Sequence, residues 1–135
     1  MERYMGKTFE GYPEITKEEI NKALDFCNRQ ILHILPEFTD KFQQAYSVDG
    51  FYPPIENVDW TTGFWTGEIW LAYEYSHDER LLKAAQVQVH DFKNRIDKKI
   101  SVDHHDMGFL YSPSCVAAYK LTGNEEGKEA PIKAA

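Results

Sequence analysis

The feature that most limits what this chain can fold into is a repeat of about 45 residues. Gly63-Phe64 corresponds to Gly108-Phe109, and Ala72-Tyr73 to Ala118-Tyr119. Ser76-His77-Asp78-Glu79 corresponds to Thr122-Gly123-Asn124-Glu125, with a slip of a single position. Periods of this length mark units that bury their apolar faces against copies of themselves. Each unit joins a segment apolar on every side to one apolar along a single stripe. Stacking such pairs with the apolar helices inside gives an all-α toroid. The alternative is two unrelated helical hairpins that share common residues.

The helical signals are explicit. Thr16 and Glu19 have the spacing of a capping box. Behind them Ile20, Leu24, Cys27, Ile31 and Ile34 step by four and three along one face, and Pro36 ends the helix. Residues 37–60, with Pro53 and Pro54, read as a long irregular connection, a kind of segment that often carries function. From Gly63 to Ser76, Phe64, Trp65, Ile69, Trp70, Leu71, Ala72, Tyr73 and Tyr75 surround a helix, which predicts burial all round. Asp78 caps a long helix striped by Leu81, Ala85, Val89, Phe92, Ile96 and Ile100. Phe109 to Leu121 is again apolar all round and stops at Thr122-Gly123. Asn124 caps a last polar helix, in which Pro131 predicts a bend or an early end. Residues 1–15 read as a loosely held arm.

Hydrophobic residues make up 42% and charged residues 27%, the balance of a globular chain. A net charge of −7 without any Lys/Arg run argues against nucleic acid, whose binding rests on neutralising phosphates. An anionic ligand would have to be held by local donors, because the overall field does not attract it. No apolar run is long enough for a membrane span, and the N-terminus lacks a signal peptide's basic and apolar regions, so a cytoplasmic protein is expected. Cys27 and Cys115 fall in separate helices and read as buried free thiols.

The repeat places two chemically rich loops at the same location, just ahead of each apolar helix. One is Asp59-Trp60-Thr61-Thr62-Gly63-Phe64-Trp65-Thr66-Gly67, the other Asp103-His104-His105-Asp106-Met107-Gly108-Phe109. In a toroid they meet at one mouth. Asp106 can be a helix cap, or a carboxylate aimed into the cavity to meet sugar hydroxyls or the anomeric region. Asp59 and Glu68 are further acidic candidates. Adjacent His104 and His105 point apart and lack the i, i+4 geometry of helical zinc motifs, so no metal is expected. One histidine as a ligand donor and the other as a packing residue fits better. Trp60 precedes its helix and can stack on a sugar, whereas Trp65 lies inside it and reads as core. His33, His77 and His90 read as surface or cap residues.

Those two loops, with Trp70-Leu71-Ala72-Tyr73-Glu74 and the continuation Leu110-Tyr111, resemble the unsaturated glucuronyl hydrolase family of glycoside hydrolases from about Ile20 onward. The resemblance implies helical hairpins of an (α/α)6 barrel, of which residues 16–135 are the N-terminal part. It implies a substrate class: oligosaccharides left by polysaccharide lyases, glycosaminoglycan fragments included, which end in a 4,5-unsaturated uronic acid. The family removes that sugar without metal or cofactor, by hydration at the C4–C5 double bond, and the resulting hemiketal opens to release its neighbour. By the resemblance, Asp106 is one of two active-site carboxylates, either nucleophile or substrate-orienting group. Trp60 lines the sugar pocket with His105 beside it.

The family's second aspartate, its general acid and base, has no match in this sequence. The chain alone is therefore expected to be inactive, with the apolar flanks of its inner helices open to self-association. A related unsaturated rhamnogalacturonyl hydrolase is a near alternative. A non-catalytic carbohydrate-binding or assembly module is an alternative from a different class.

Overall fold

The computed structural model describes Gly11 and residues 14–135. The arm expected over residues 1–15 therefore lies almost wholly outside the described residues. Helix α1 spans Lys17–Ile34 and opens on a complete capping box. The Thr16 hydroxyl accepts from the Glu19 N–H at 3.2 Å, and the Glu19 carboxylate accepts from the Thr16 N–H at 2.8 Å. Only its last turns reach the core, through Ile31, Leu32 and Ile34. Ile20 and Leu24 stay exposed, and so does Cys27, contrary to the expected buried thiol. Cys115 is buried, and desolvation pushes its thiol up to about 12.

The connection after α1 is mostly irregular. It carries one short antiparallel pairing, β1 (Phe42–Gln43) with β2 (Pro54–Ile55). Phe42 at its start is fully buried and meets Phe92 edge-on, ring centroids 5.5 Å apart.

Two hairpins follow. The first joins α2 (Thr62–Ser76) to α3 (Glu79–Asp97). The second joins α4 (Met107–Tyr111), a π-helical turn (Ser112–Val116) and α5 (Ala117–Thr122) to α6 (Glu125–Ala134). The outer helices α3 and α6 pack on each other, and α2 packs on the π turn and α4. This is the stacked arrangement that the repeat demands. On α3, Leu81, Ala85, Val89 and Phe92 are buried as expected, while Ile100 falls beyond the helix and is exposed.

The expected all-round burial of the inner helices is not what is seen. On α2, Trp65, Ile69, Trp70 and Ala72 are buried, but Phe64, Tyr75 and, at 68% exposure, Leu71 are not. Positions 64, 68, 71 and 75 share one helix face, which stays largely open to solvent. Phe109, Tyr119 and Leu121 on the second inner segment are also exposed. That segment is also not one continuous α-helix. Pro113 has no N–H to donate, and the wider π turn absorbs the missing bond.

Pro131 does not end α6, which runs through it to Ala134. Packing outweighs the lost hydrogen bond here. Ala130 is fully buried, and Gly127 lies so near the second inner segment that an added Cβ would sit 2.7 Å from the Cys115 carbonyl oxygen. The ladder resumes with the Ala135 N–H donating to the Pro131 carbonyl at 3.1 Å.

Candidate functional site

The first rich loop is anchored from beneath. Asn57 and Thr62 are buried, and the Thr62 hydroxyl donates to Asn57 Oδ1 at 2.7 Å. Between them the Asp59 carboxylate accepts the Trp60 N–H at 2.7 Å, which turns the indole outward. Trp60 is 45% exposed and stands beside Phe64 and Phe109, with ring centroids 6.3 and 6.1 Å away. Gly63 then lets α2 cross the second inner segment closely. A Cβ there would lie 2.1 Å from the Phe109 carbonyl oxygen.

The second loop is held through His104. Its Nε2 lies 3.0 Å from the Ser101 carbonyl oxygen, and its Nδ1 lies 3.2 Å from the Asp106 backbone N–H. A carbonyl cannot donate and an amide cannot accept, so these contacts require the neutral Nε2–H tautomer. His104 is thus spent on structure. His105 is 93% exposed, with Nε2 3.4 Å from Asp106 Oδ1.

Asp106 sits at the N-cap position of α4, yet its side chain makes no cap hydrogen bond. Its carboxylate is only 21% exposed and forms part of the walls of two adjoining concavities. Trp60 and Asp59 line one, and His105 with Phe109 lines the other. Trp60 and His105 therefore each share a concavity with Asp106. Trp65 belongs to the core, its indole donating to the Phe38 carbonyl at 2.9 Å. Glu68 lies away from the Asp106 concavities, in apolar surroundings on the open face of α2, where burial raises its pKa. His33, His77 and His90 are exposed, and His90 pairs with Glu126 at 3.0 Å. Among the described residues no three His, Cys, Asp or Glu side chains are grouped to hold a metal ion.

Arg95 escaped the sequence reading. It is 1% exposed and lies under both loops. Its guanidinium donates to Asn57 Oδ1 at 2.8 Å, the Asp59 carbonyl at 2.9 Å and the Ser101 carbonyl at 2.7 Å. The signal was present: positions 81, 85, 88, 92 and 95 step by four and three, so Arg95 and Gln88 share the buried stripe of α3.

The chain is 46% identical over 123 residues to an unsaturated chondroitin disaccharide hydrolase of Streptococcus pneumoniae, covering 91% of this chain and 31% of that protein. Its fold matches the crystal structure of unsaturated glucuronyl hydrolase from Streptococcus agalactiae with a TM-score of 0.90 at 40% identity. That match covers 93% of this chain and 32% of the other. In sequence and in fold the chain is similar to the unsaturated glucuronyl hydrolases over the stretch it shares with them. An unsaturated glucuronyl hydrolase from a Bacillus species is 39% identical over 119 residues, 88% of this chain and 30% of its own. The chain thus spans about a third of the length of the hydrolases it matches. No protein-family model matches it. The two stacked hairpins are an arc of the hydrolases' α/α toroid. No helix among the described residues is long and apolar enough to cross a membrane.

Proposed function

We propose that the groove around Asp106 is part of the sugar site of a glycosidase that removes a 4,5-unsaturated uronic acid from lyase-generated oligosaccharides. A glycosaminoglycan disaccharide is the substrate class favoured. The S. pneumoniae relative bears the name of an unsaturated chondroitin disaccharide hydrolase, and a mutant of the S. agalactiae enzyme has been crystallised with dGlcA-GalNAc6S. In the reaction water adds across the C4–C5 double bond, a proton to C4 and hydroxyl to C5. The hemiketal so formed opens and expels the neighbouring sugar. Trp60 offers an exposed indole face for stacking on a sugar ring. His105 is a free donor for the substrate, and Asp106 is a catalytic carboxylate touching it.

The observation that carries this reading is the idle Asp106 carboxylate. An aspartate at a helix start ordinarily accepts a backbone N–H, and this one accepts none. In a protein that carries this sequence and consumes an unsaturated chondroitin disaccharide, Asp106→Asn is expected to lower turnover at least about a hundredfold with the fold intact. Loss of the uronide's ultraviolet absorbance measures it. Near-normal turnover would reduce Asp106 to a loop residue.

A further inference from the structure

One unbroken run of hydrogen bonds connects the two loops of the site, and Arg95 lies at its centre. On one side its Nη1 holds Asn57 Oδ1, the Asp59 carbonyl and, at 3.2 Å, the Thr62 hydroxyl, which bracket Trp60. On the other its Nη2 donates to the Ser101 carbonyl at 2.7 Å. The same Ser101 oxygen accepts His104 Nε2–H at 3.0 Å, and His104 Nδ1 in turn accepts the Asp106 N–H at 3.2 Å. Lys99 and Ser101 both adopt left-handed backbone, φ 55° and 45°, in the turn that presents the Ser101 carbonyl. Non-glycine residues persist there only where their surroundings over-determine them. All of these Arg95 acceptors are neutral oxygens, and burial lowers the pKa of Arg95. No carboxylate is among its hydrogen-bond partners, so the guanidinium is placed for its fork of donors rather than for an ion pair.

We infer that Arg95 is a positioning residue of the site: through Ser101 and His104 it fixes where the Asp106 backbone stands relative to the Trp60 ring. The inference rests on the functional reading above only for its effect on turnover, since the clasp itself can be read without a substrate. Lysine at position 95 keeps the charge but presents one compact ammonium instead of a planar fork, so it cannot serve both loops.

The test begins on the 135-residue chain by NMR. Arg95→Lys is expected to shift the Asp106 backbone amide, the ring nitrogens of His104 and the Trp60 indole together, while amides in the exposed first turns of helix α1 stay in place. Thr62→Val, similar in shape, removes the hydroxyl that donates to Asn57 and accepts from Arg95 but leaves the bonds of Arg95 to Asn57, Asp59 and Ser101. It is expected to move the same signals less and keeps the test available if the lysine variant folds poorly. Asp106 and His104 signals that stay at their unaltered positions in either folded variant would overturn the clasp. In a protein that carries this sequence and hydrolyses an unsaturated chondroitin disaccharide, Arg95→Lys is expected to lower kcat on the order of tenfold to a hundredfold, more than it raises KM. Moved signals with unchanged kcat would overturn the positioning role. A parent protein without any hydrolysis would sink the functional reading instead, with the clasp still decided by the amide shifts.

Discussion

The helix starts of this chain come in two kinds. At Thr16, Asp78 and Asn124 the backbone is extended, with ψ of 155°, 120° and 117°, and each side chain accepts a backbone N–H of its own helix. At Thr61 and Asp106 ψ is −9° and 13°, and neither side chain caps. An extended cap residue turns its oxygen back onto the first turn, whereas ψ near zero carries the chain onward and sends the side chain elsewhere. The Phe64 and Phe109 N–H groups are satisfied by the carbonyls of Thr61 and Asp106, at 3.0 and 2.9 Å. The capped starts are those of α1 and the outer helices, and the uncapped ones are those of the inner helices at the candidate site. Where a side chain is released from the helix, it becomes available for something else, and packing must hold the helix start in its place.

The strongest blow to this comparison would come through packing. Gly63→Ala puts a methyl 2.1 Å from one backbone carbonyl oxygen and 2.6 Å from the next, neither of which can swing aside. It is expected to cost about 3 kcal/mol in urea unfolding. A loss below about 1 kcal/mol would mean that the close crossing does not hold the start of α2. Next in size, Asn124→Ala removes a working cap, its side chain 2.8 Å from the Gly127 N–H, and is expected to cost about 1 kcal/mol. Asp106→Ala, at an idle cap, is expected to change stability by less than about 0.5 kcal/mol. Equal costs at Asn124 and Asp106 would erase the distinction between the two kinds of start.

The smallest expected effect is a pH dependence at Asp78. The Arg80 side chain and backbone N–H bind its carboxylate and lower its pKa from 3.8 to about 2. A lowered folded-state pKa contributes stability that is fully present above the unfolded value and fades as pH falls through the folded one. The melting difference between the unaltered chain and Asp78→Asn is therefore expected to shrink between pH 3.8 and about 2. A difference that is flat across that window would show that Asp78 caps by hydrogen bonding alone.

Much of this was legible in local spacing. The Thr16–Glu19 box, the caps at Asp78 and Asn124 and the stop at Gly123, which is left-handed at φ 72°, all appear where the sequence puts them. The 45-residue correspondence brought the loops of Trp60 and Asp106 together before any coordinates did. What failed depends on contacts made across the fold. Spacing cannot say which flank of an apolar helix finds a neighbour, so the exposure of Phe64 and Leu71 was missed. Proline rules are local too, and Pro131 is overruled by the burial of Ala130. Arg95 was passed over because a charge on a half-exposed helix reads as solvated face, although its step placed it on the stripe.

The Arg95 clasp also constrains how this sequence can vary. Its acceptors are an amide oxygen, a hydroxyl and backbone carbonyls drawn from two loops far apart in the chain. A drift at Asn57 that removes the amide oxygen leaves a buried cation short of a partner, and a drift at Arg95 strands several buried oxygens at once. Either step alone is costly, while paired steps can restore the balance, which is the signature of strong epistasis between residues in one network. In a combinatorial library over positions 57, 62, 95 and 101, survivors should therefore be scarce among single changes and co-selected among multiple ones. The turn around Lys99 and Ser101 narrows the choice further, since both positions favour glycine, asparagine or aspartate among their replacements. One arginine thus makes two loops, distant in sequence, evolve as a single unit.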